Sequence, residues 1–178
     1  SLGLLISWLV AGCGSGTRKP GDCDGPCPQS KIDHVVVIVQ ENHTFDSYFG
    51  KYCQAQAGSN PTCTDGPACC EGGPTHEPGG AEPVMLDDTS NGAYDPDHTQ
   101  LCELMEENGG LMDQYVAGNS CSNAGNFAYA DSSVVGTYWQ YAAQGALADR
   151  YFQPIAGQSS SNDIYLFRAN YVFTDNEF

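Results

Sequence analysis

Apolar residues gather in a few short runs of this chain, and the spacing inside each run predicts its form. Residues 35–39, Val-Val-Val-Ile-Val, are five consecutive β-branched residues without polar alternation. Such a run predicts a buried strand covered on both faces, as in a parallel sheet flanked by helices, because branched side chains fit a pleated surface and crowd a helix. Beyond Glu41 and Asn42, the positions Phe45, Tyr48 and Phe49 recur at helical spacing, with Thr44 as N-cap and Gly50 as stop. A second helix is predicted over residues 98–108, with Leu101, Leu104 and Met105 facing inward. A third covers residues 137–144, its aromatic and Ala side chains toward a sheet. Ile164 and Phe167, at i and i+3, predict a helix starting just after Ser159, Ser160 and Ser161.

The stretches between these elements carry a different composition. Residues 2–10 form an apolar run too short to span a bilayer, and it leads into Val10-Ala11-Gly12-Cys13. This resembles a bacterial lipoprotein signal, which implies cleavage before Cys13, a lipid anchor on that cysteine, and a place in the bacterial cell envelope or outside the cell. Residues 1–12 then read as a signal remnant and residues 13–30, rich in Gly, Pro and Cys, as a tether. Residues 52–96 read as an irregular, cysteine-rich insertion at the edge of the domain, where such loops set access to a site.

Cysteine usage agrees with an exported protein. Of nine cysteines, setting aside Cys13 leaves Cys23, Cys27, Cys53, Cys63, Cys69, Cys70, Cys102 and Cys121, an even number that allows up to four disulfides. Cys23 and Cys27 are expected in one local loop, and the adjacent Cys69 and Cys70 to pair outward rather than with each other. Zinc is the weaker reading, since neither His76 nor His98 stands at ligand spacing from a cysteine pair.

Charge narrows the partners. Six Lys+Arg against 22 Asp+Glu give a net charge of -16 over 178 residues, which argues against a nucleic-acid groove or a polybasic membrane patch. The same field repels anionic substrates at a distance, so a phosphate ester would have to be held by a local cation.

Glu41 and Asn42 follow the predicted strand directly, where an open α/β sheet places its chemistry. Their hard oxygens suit a divalent cation, or alternatively they cap the following helix. The segment Glu41-Asn42-His43-Thr44-Phe45-Asp46-Ser47-Tyr48-Phe49-Gly50 resembles the opening signature, E-N-[RH]-[ST]-F-D-x-x-[FL]-G, of the bacterial phosphoesterase family that holds phospholipases C and related acid phosphatases. Asp97-His98, followed by Asn108-Gly109-Gly110-Leu111-Met112-Asp113-Gln114-Tyr115-Val116, is similar to a second family block. Tyr138-Trp139-Gln140-Tyr141-Ala142-Ala143, then Ala146-Leu147-Ala148-Asp149-Arg150-Tyr151-Phe152, is similar to a third.

The resemblance implies an alkaline-phosphatase-like α/β/α sandwich over residues 31–178, a divalent metal ion, and hydrolysis of phosphoric esters, either phospholipids or soluble monoesters. It also implies a covalent nucleophile in the turn Gly157-Gln158-Ser159-Ser160-Ser161-Asn162-Asp163. Aligning Gly157 and Asn162 with the family turn puts Ser159 in the attacking position, with Ser160 as a competing register. Gln158 and Ser161 replace prolines there, and Asp163 replaces a basic residue. Glu41, Asn42 and Ser159 would hold the metal, while His98 and Asn162 would steady the phosphoryl oxygens. His34 reads as structural, and His43 as the start of a helix.

The family's remaining ligands, an acidic pair and a D-E-x-G-G-x-[YF]-D-H-V-like segment, have no counterpart in these residues. The expectation is therefore an incomplete, N-terminal part of the sandwich, inactive alone. The alternative is a disulfide-stapled envelope protein that keeps the fold for binding and has lost catalysis.

Overall fold

The computed structural model describes residues 32–174 apart from 42, 62 and 64. Two units are distinguished, Ser1–Val39 and Gln40–Phe178. The expectations for Cys13, Cys23 and Cys27, for the signal remnant and for the tether lie outside the described residues.

In the first unit, residues 32–39 belong to no helix or strand. Val35, Val36, Val37 and Ile38 are 78–82% exposed and Val39 is 54% exposed. The buried strand predicted for residues 35–39 is not formed. Strand preference of branched residues comes from packing against cross-strand neighbours, and among the described residues none lies in a ladder with this run.

The second unit mixes helix and strand. Helix α1, Phe45–Phe49, is capped as predicted: Thr44 Oγ1 accepts from the Ser47 N–H at 3.2 Å, and the Gly50 N–H donates to Asp46 O at 2.8 Å. Five residues are too few for a helix to persist alone. Tertiary contacts hold it, because the Ala130 N–H donates to Ser47 O at 2.8 Å and Trp139 Nε1 to Tyr48 O at 2.7 Å. Both donors precede or lie in α4, Ser132–Gln144, which starts at Asp131 with its carboxylate accepting from the Ser133 N–H. That cap starts the helix five residues before the predicted position. Tyr138 and Trp139 do not face a sheet; their rings pack on Tyr48 at 5.0 Å and Tyr52 at 5.6 Å.

The sheet is small. Strands β1, Val84–Met85, and β2, Ala128–Tyr129, pair in parallel, Val84 opposite Ala128 and Met85 opposite Tyr129. Tyr129 is buried, its hydroxyl donates to Pro74 O at 3.1 Å, and its ring lies so close to Gly73 that a Cβ there would stand 2.5 Å from the phenol oxygen. Only glycine allows that approach.

Residues 52–96 are more ordered than expected. Besides β1 they contain α2, Asp88–Ala93, which begins with a reciprocal capping box between Asp87 and Ser90. Cys69 and Cys70 pair outward, in Cys63–Cys69 and Cys53–Cys70, and a third disulfide joins Cys102 to Cys121.

Helix α3, Gln100–Glu107, lies where the pattern placed it, with Thr99 as N-cap and Asn108 in the left-handed conformation at its end. Its inward face differs from the prediction. Leu101 is 68% exposed and Leu104 48%, while Cys102 and Glu106 are buried. The Cys102–Cys121 bond fixes the rotation of the helix, turning the Cys102–Glu106 ridge inward.

Replacing Cys102 and Cys121 together by Ser should lower the stability of the chain by about 3 kcal/mol, as expected for opening a loop of this size. Thermal melts followed by circular dichroism without reductant, with the parent's disulfide intact, would show the drop. An unchanged midpoint would contradict the role given to this bond.

Candidate active site

Helix α5, Ser159–Arg168, begins inside the serine string rather than after it, so the three serines form its first turn. Gln158 at the N-cap supplies no side-chain acceptor, leaving first-turn N–H groups directed outward, the arrangement that favours an anion. The serines are not equivalent. Ser161 is 1% exposed and its hydroxyl donates to Gln158 O at 2.7 Å, with Thr174 O at 3.4 Å beyond. It is a structural residue. Ser159 is half-buried and Ser160 exposed, and neither hydroxyl has a hydrogen-bond partner among the described residues.

The turn before Ser159 is held from two sides. From α5, Asn162 Oδ1 accepts from the Ile155 N–H at 3.2 Å, while its Nδ2 donates to Ile155 O and Gly157 O, both at 3.1 Å. From α3, Glu103 Oε2 accepts from the Gly157 N–H at 2.7 Å and from Gln153 Nε2 at 3.2 Å, and Gln100 Nε2 donates to Ala156 O at 2.9 Å. Gly157 has φ 149°, and a Cβ on it would collide with Thr174 O. A side chain there is excluded on both counts. The amide of Asn162 is thus committed to backbone, and Gln100 and Glu103, which the sequence reading passed over, are the residues that shape the turn. Nothing in their local spacing marks them, since their partners lie 50 or more residues away.

His98 lies two residues before Gln100 and is exposed. Its Nδ1 is 2.9 Å from Pro96 O. A carbonyl only accepts, so Nδ1 carries the proton of that bond and Nε2 is left for other work. The Gln100–Ala156 bond brings the His98 segment beside the serine turn.

Glu41 is exposed, and α1 is capped by Thr44 instead. The alternative of a helix-capping Glu41 therefore falls away. Its neighbour Gln40 donates to the Tyr138 hydroxyl at 2.6 Å, tying the segment to α4, and Asn42 lies outside the described residues. Among the described residues, the group of acidic, Cys or His side chains close enough to share a cation is Asp97, Cys102 and Cys121. Two of these are bonded to each other, and disulfide sulfur is a poor metal ligand. Among the described residues, Glu41 belongs to no group of acidic, Cys or His side chains close enough to share a cation.

Comparison with known proteins shows the family of the chain. A model of the Phosphoesterase family matches residues 32–176, which include the strand-like run, both helix blocks and the serine turn. The chain belongs to the phosphoesterase family. It is similar to phospholipase C A of Mycobacterium tuberculosis, 27% identical across 58% of this chain and 22% of that protein. It is also similar to phospholipase C B of the same organism, 26% identical across 82% of this chain and 31% of that protein. The chain thus spans less than a third of the length of these relatives. No solved structure matches it.

A buried polar network in this phosphoesterase-family chain starts from Glu106, one turn along α3 from Glu103. Glu106 is 8% exposed and accepts from Asn126 Nδ2 at 2.6 Å; Asn126 Oδ1 in turn accepts from the Tyr94 hydroxyl at 2.7 Å. Burial, helped by the nearby carboxylates Glu103, Asp97 and Glu77, outweighs the Asn126 hydrogen bond and raises the Glu106 pKa to about 7. The Tyr115 hydroxyl beside it is pushed up to about 12, again chiefly by burial.

A carboxyl whose folded pKa is raised binds its proton more tightly in the folded state. Stability from Glu106 is then lost as pH rises from about 4.5, its ordinary value, to about 7, and the loss is complete above that. Glu106→Gln keeps the acceptor for Asn126 and removes the titration. Its stability relative to the parent should rise by up to about 3 kcal/mol between pH 4.5 and pH 8. Denaturant unfolding across that range checks it, and a pH-independent difference would refute the buried-acid assignment.

Proposed function

We propose that the natural protein carrying this sequence is a phosphoric-ester hydrolase that uses Ser159 as its attacking hydroxyl. The observation that supports this most is Ser159 at the first position of α5, unengaged and half-buried, on a turn clamped from two helices. The hydroxyl attacks phosphorus, the ester oxygen departs, and the phosphoryl group rests on Ser159 until water releases it. First-turn N–H groups of α5 favour the phosphoryl oxygens. His98, with Nε2 open, exchanges a proton or holds a phosphoryl oxygen. Asn162 acts by shaping the turn.

The proposal extends to the whole domain. An alkaline-phosphatase-like α/β/α sandwich accounts for the β-branched run at residues 35–39, which would be its first strand. The names of the relatives favour a phospholipid over a soluble monoester. Glu41 and Asn42 are the residues that would contribute to a divalent-metal site, whose chemistry would be to polarise the ester; the remaining ligands have to come from other residues. Envelope localisation through a lipid on Cys13 completes the reading.

The natural protein should hydrolyse p-nitrophenyl phosphate or phosphatidylcholine, and Ser159→Ala should reduce kcat by a factor on the order of a thousand or more, with Ser160→Ala close to the parent. Chelation should abolish turnover, and a divalent cation should restore it. Full activity in Ser159→Ala would remove the nucleophile assignment, and loss in Ser160→Ala alone would transfer it to that residue.

A further inference from the structure

We infer that Glu103 is a positioning residue for the nucleophile turn, acting through Gly157. This rests on the Ser159 reading above and extends it to a residue on a different helix. Four backbone segments need fixing before Ser159 can present its hydroxyl in one direction: residues 155, 156, 157 and 158. Asn162 holds Ile155 and Gly157 through their carbonyls and the Ile155 N–H. What Asn162 leaves open, Glu103 and Gln100 close: the Gly157 N–H goes to Glu103 Oε2 at 2.7 Å and the Ala156 carbonyl to Gln100 at 2.9 Å.

Several features set Glu103 apart from an ordinary surface carboxylate. The peptide it grips belongs to Gly157, buried and at φ 149°, a conformation that a free glycine leaves readily. The same carboxylate oxygen collects Gln153 Nε2 at 3.2 Å, so both ends of the 153–157 stretch converge on one atom. Residues 155–161 hold no proline. Without a fixed φ, the turn depends on side chains for rigidity, and Glu103 and Gln100 are the anchors that come from outside α5.

The contribution is to orientation. Glu103 contacts no reacting atom; it narrows the range of Ser159 directions, and small misplacements of a nucleophile are costly because near-attack geometry is demanding. It therefore acts on kcat more than on KM. Gln at this position keeps an oxygen acceptor for the Gly157 N–H and removes only the charge.

The test uses the natural protein with Glu103→Ala, Glu103→Gln and Ser159→Ala, p-nitrophenyl phosphate as probe, and hydrogen–deuterium exchange of the peptide spanning residues 153–162. Glu103→Ala should speed exchange at Gly157 and lower kcat by about tenfold to a hundredfold with KM within about threefold. Glu103→Gln should restore most of both. Unchanged exchange in Glu103→Ala overturns the inference, and so does a Gln variant as impaired as Ala, which would mean that the charge rather than the anchor matters. Should Ser159→Ala keep full turnover while Glu103→Ala loses protection and kcat, the nucleophile assignment fails and the clamp stands. Exchange sped up equally throughout the chain in both Glu103 variants, with a shared fall in the unfolding midpoint, would reduce Glu103 to a structural residue and also overturn it.

Discussion

Tyr129 is where the parts of the second unit meet. Its ring fills the space that Gly73 leaves by lacking a Cβ, its hydroxyl ends on Pro74 O, and its carbonyl accepts the Leu86 N–H at 3.0 Å. The next residue, Ala130, donates to α1, and the one after that caps α4. A single buried aromatic therefore sets the spacing between the 73–74 loop, the two-stranded ladder and both helices. Its phenol is shifted upward by burial, with Asp46 and Tyr115 adding to it, so it remains a neutral hydrogen-bond donor across ordinary pH.

Around that point, apolar packing is sparse and polar anchoring is dense. The buried apolar residues are few, and three of them are disulfide cysteines. The turns are fixed by side chains that reach backbone groups: Asn126 spans Glu106 and Cys121 O, Asn119 caps Cys121 and Ser122, and Asn162 holds the serine turn. Each such bond contributes on the order of 1 kcal/mol, yet an unmade one would leave buried groups unsatisfied at a larger cost. Disulfides suit this economy, since they restrict the unfolded chain without needing a large core. Considerable apolar surface stays outside, notably residues 35–39, Phe152 and Phe167.

The legibility of the sequence varied with the range of the interaction. Thr44 and Gly50 bound α1 as their chemistry requires, and the start of α5 falls within the serine string, because caps and helix formers act within one turn. The outward pairing of Cys69 and Cys70 followed from the geometry of neighbouring residues. The rotation of α3 was misjudged, since hydrophobic period pointed to Leu101 and Leu104 while a covalent bond to Cys121 turned the helix otherwise. Residues 35–39 were misjudged too: their pattern describes a strand that needs partners, and pattern alone cannot supply them.

By itself the sequence determined the family, through the Glu41–Gly50 signature and two later blocks in order, and it bounded α1 by Thr44 and Gly50. It also set the candidate chemistry, a hydroxyl near a helix N-terminus with His98 upstream. Only the tertiary structure decided that Ser161 is spent on Gln158 and that Glu103 reaches across from α3 to Gly157. The reason is physical. Caps and signatures are written in residues close along the chain, whereas hydrogen bonds between positions 54 apart exist only after folding has brought them together.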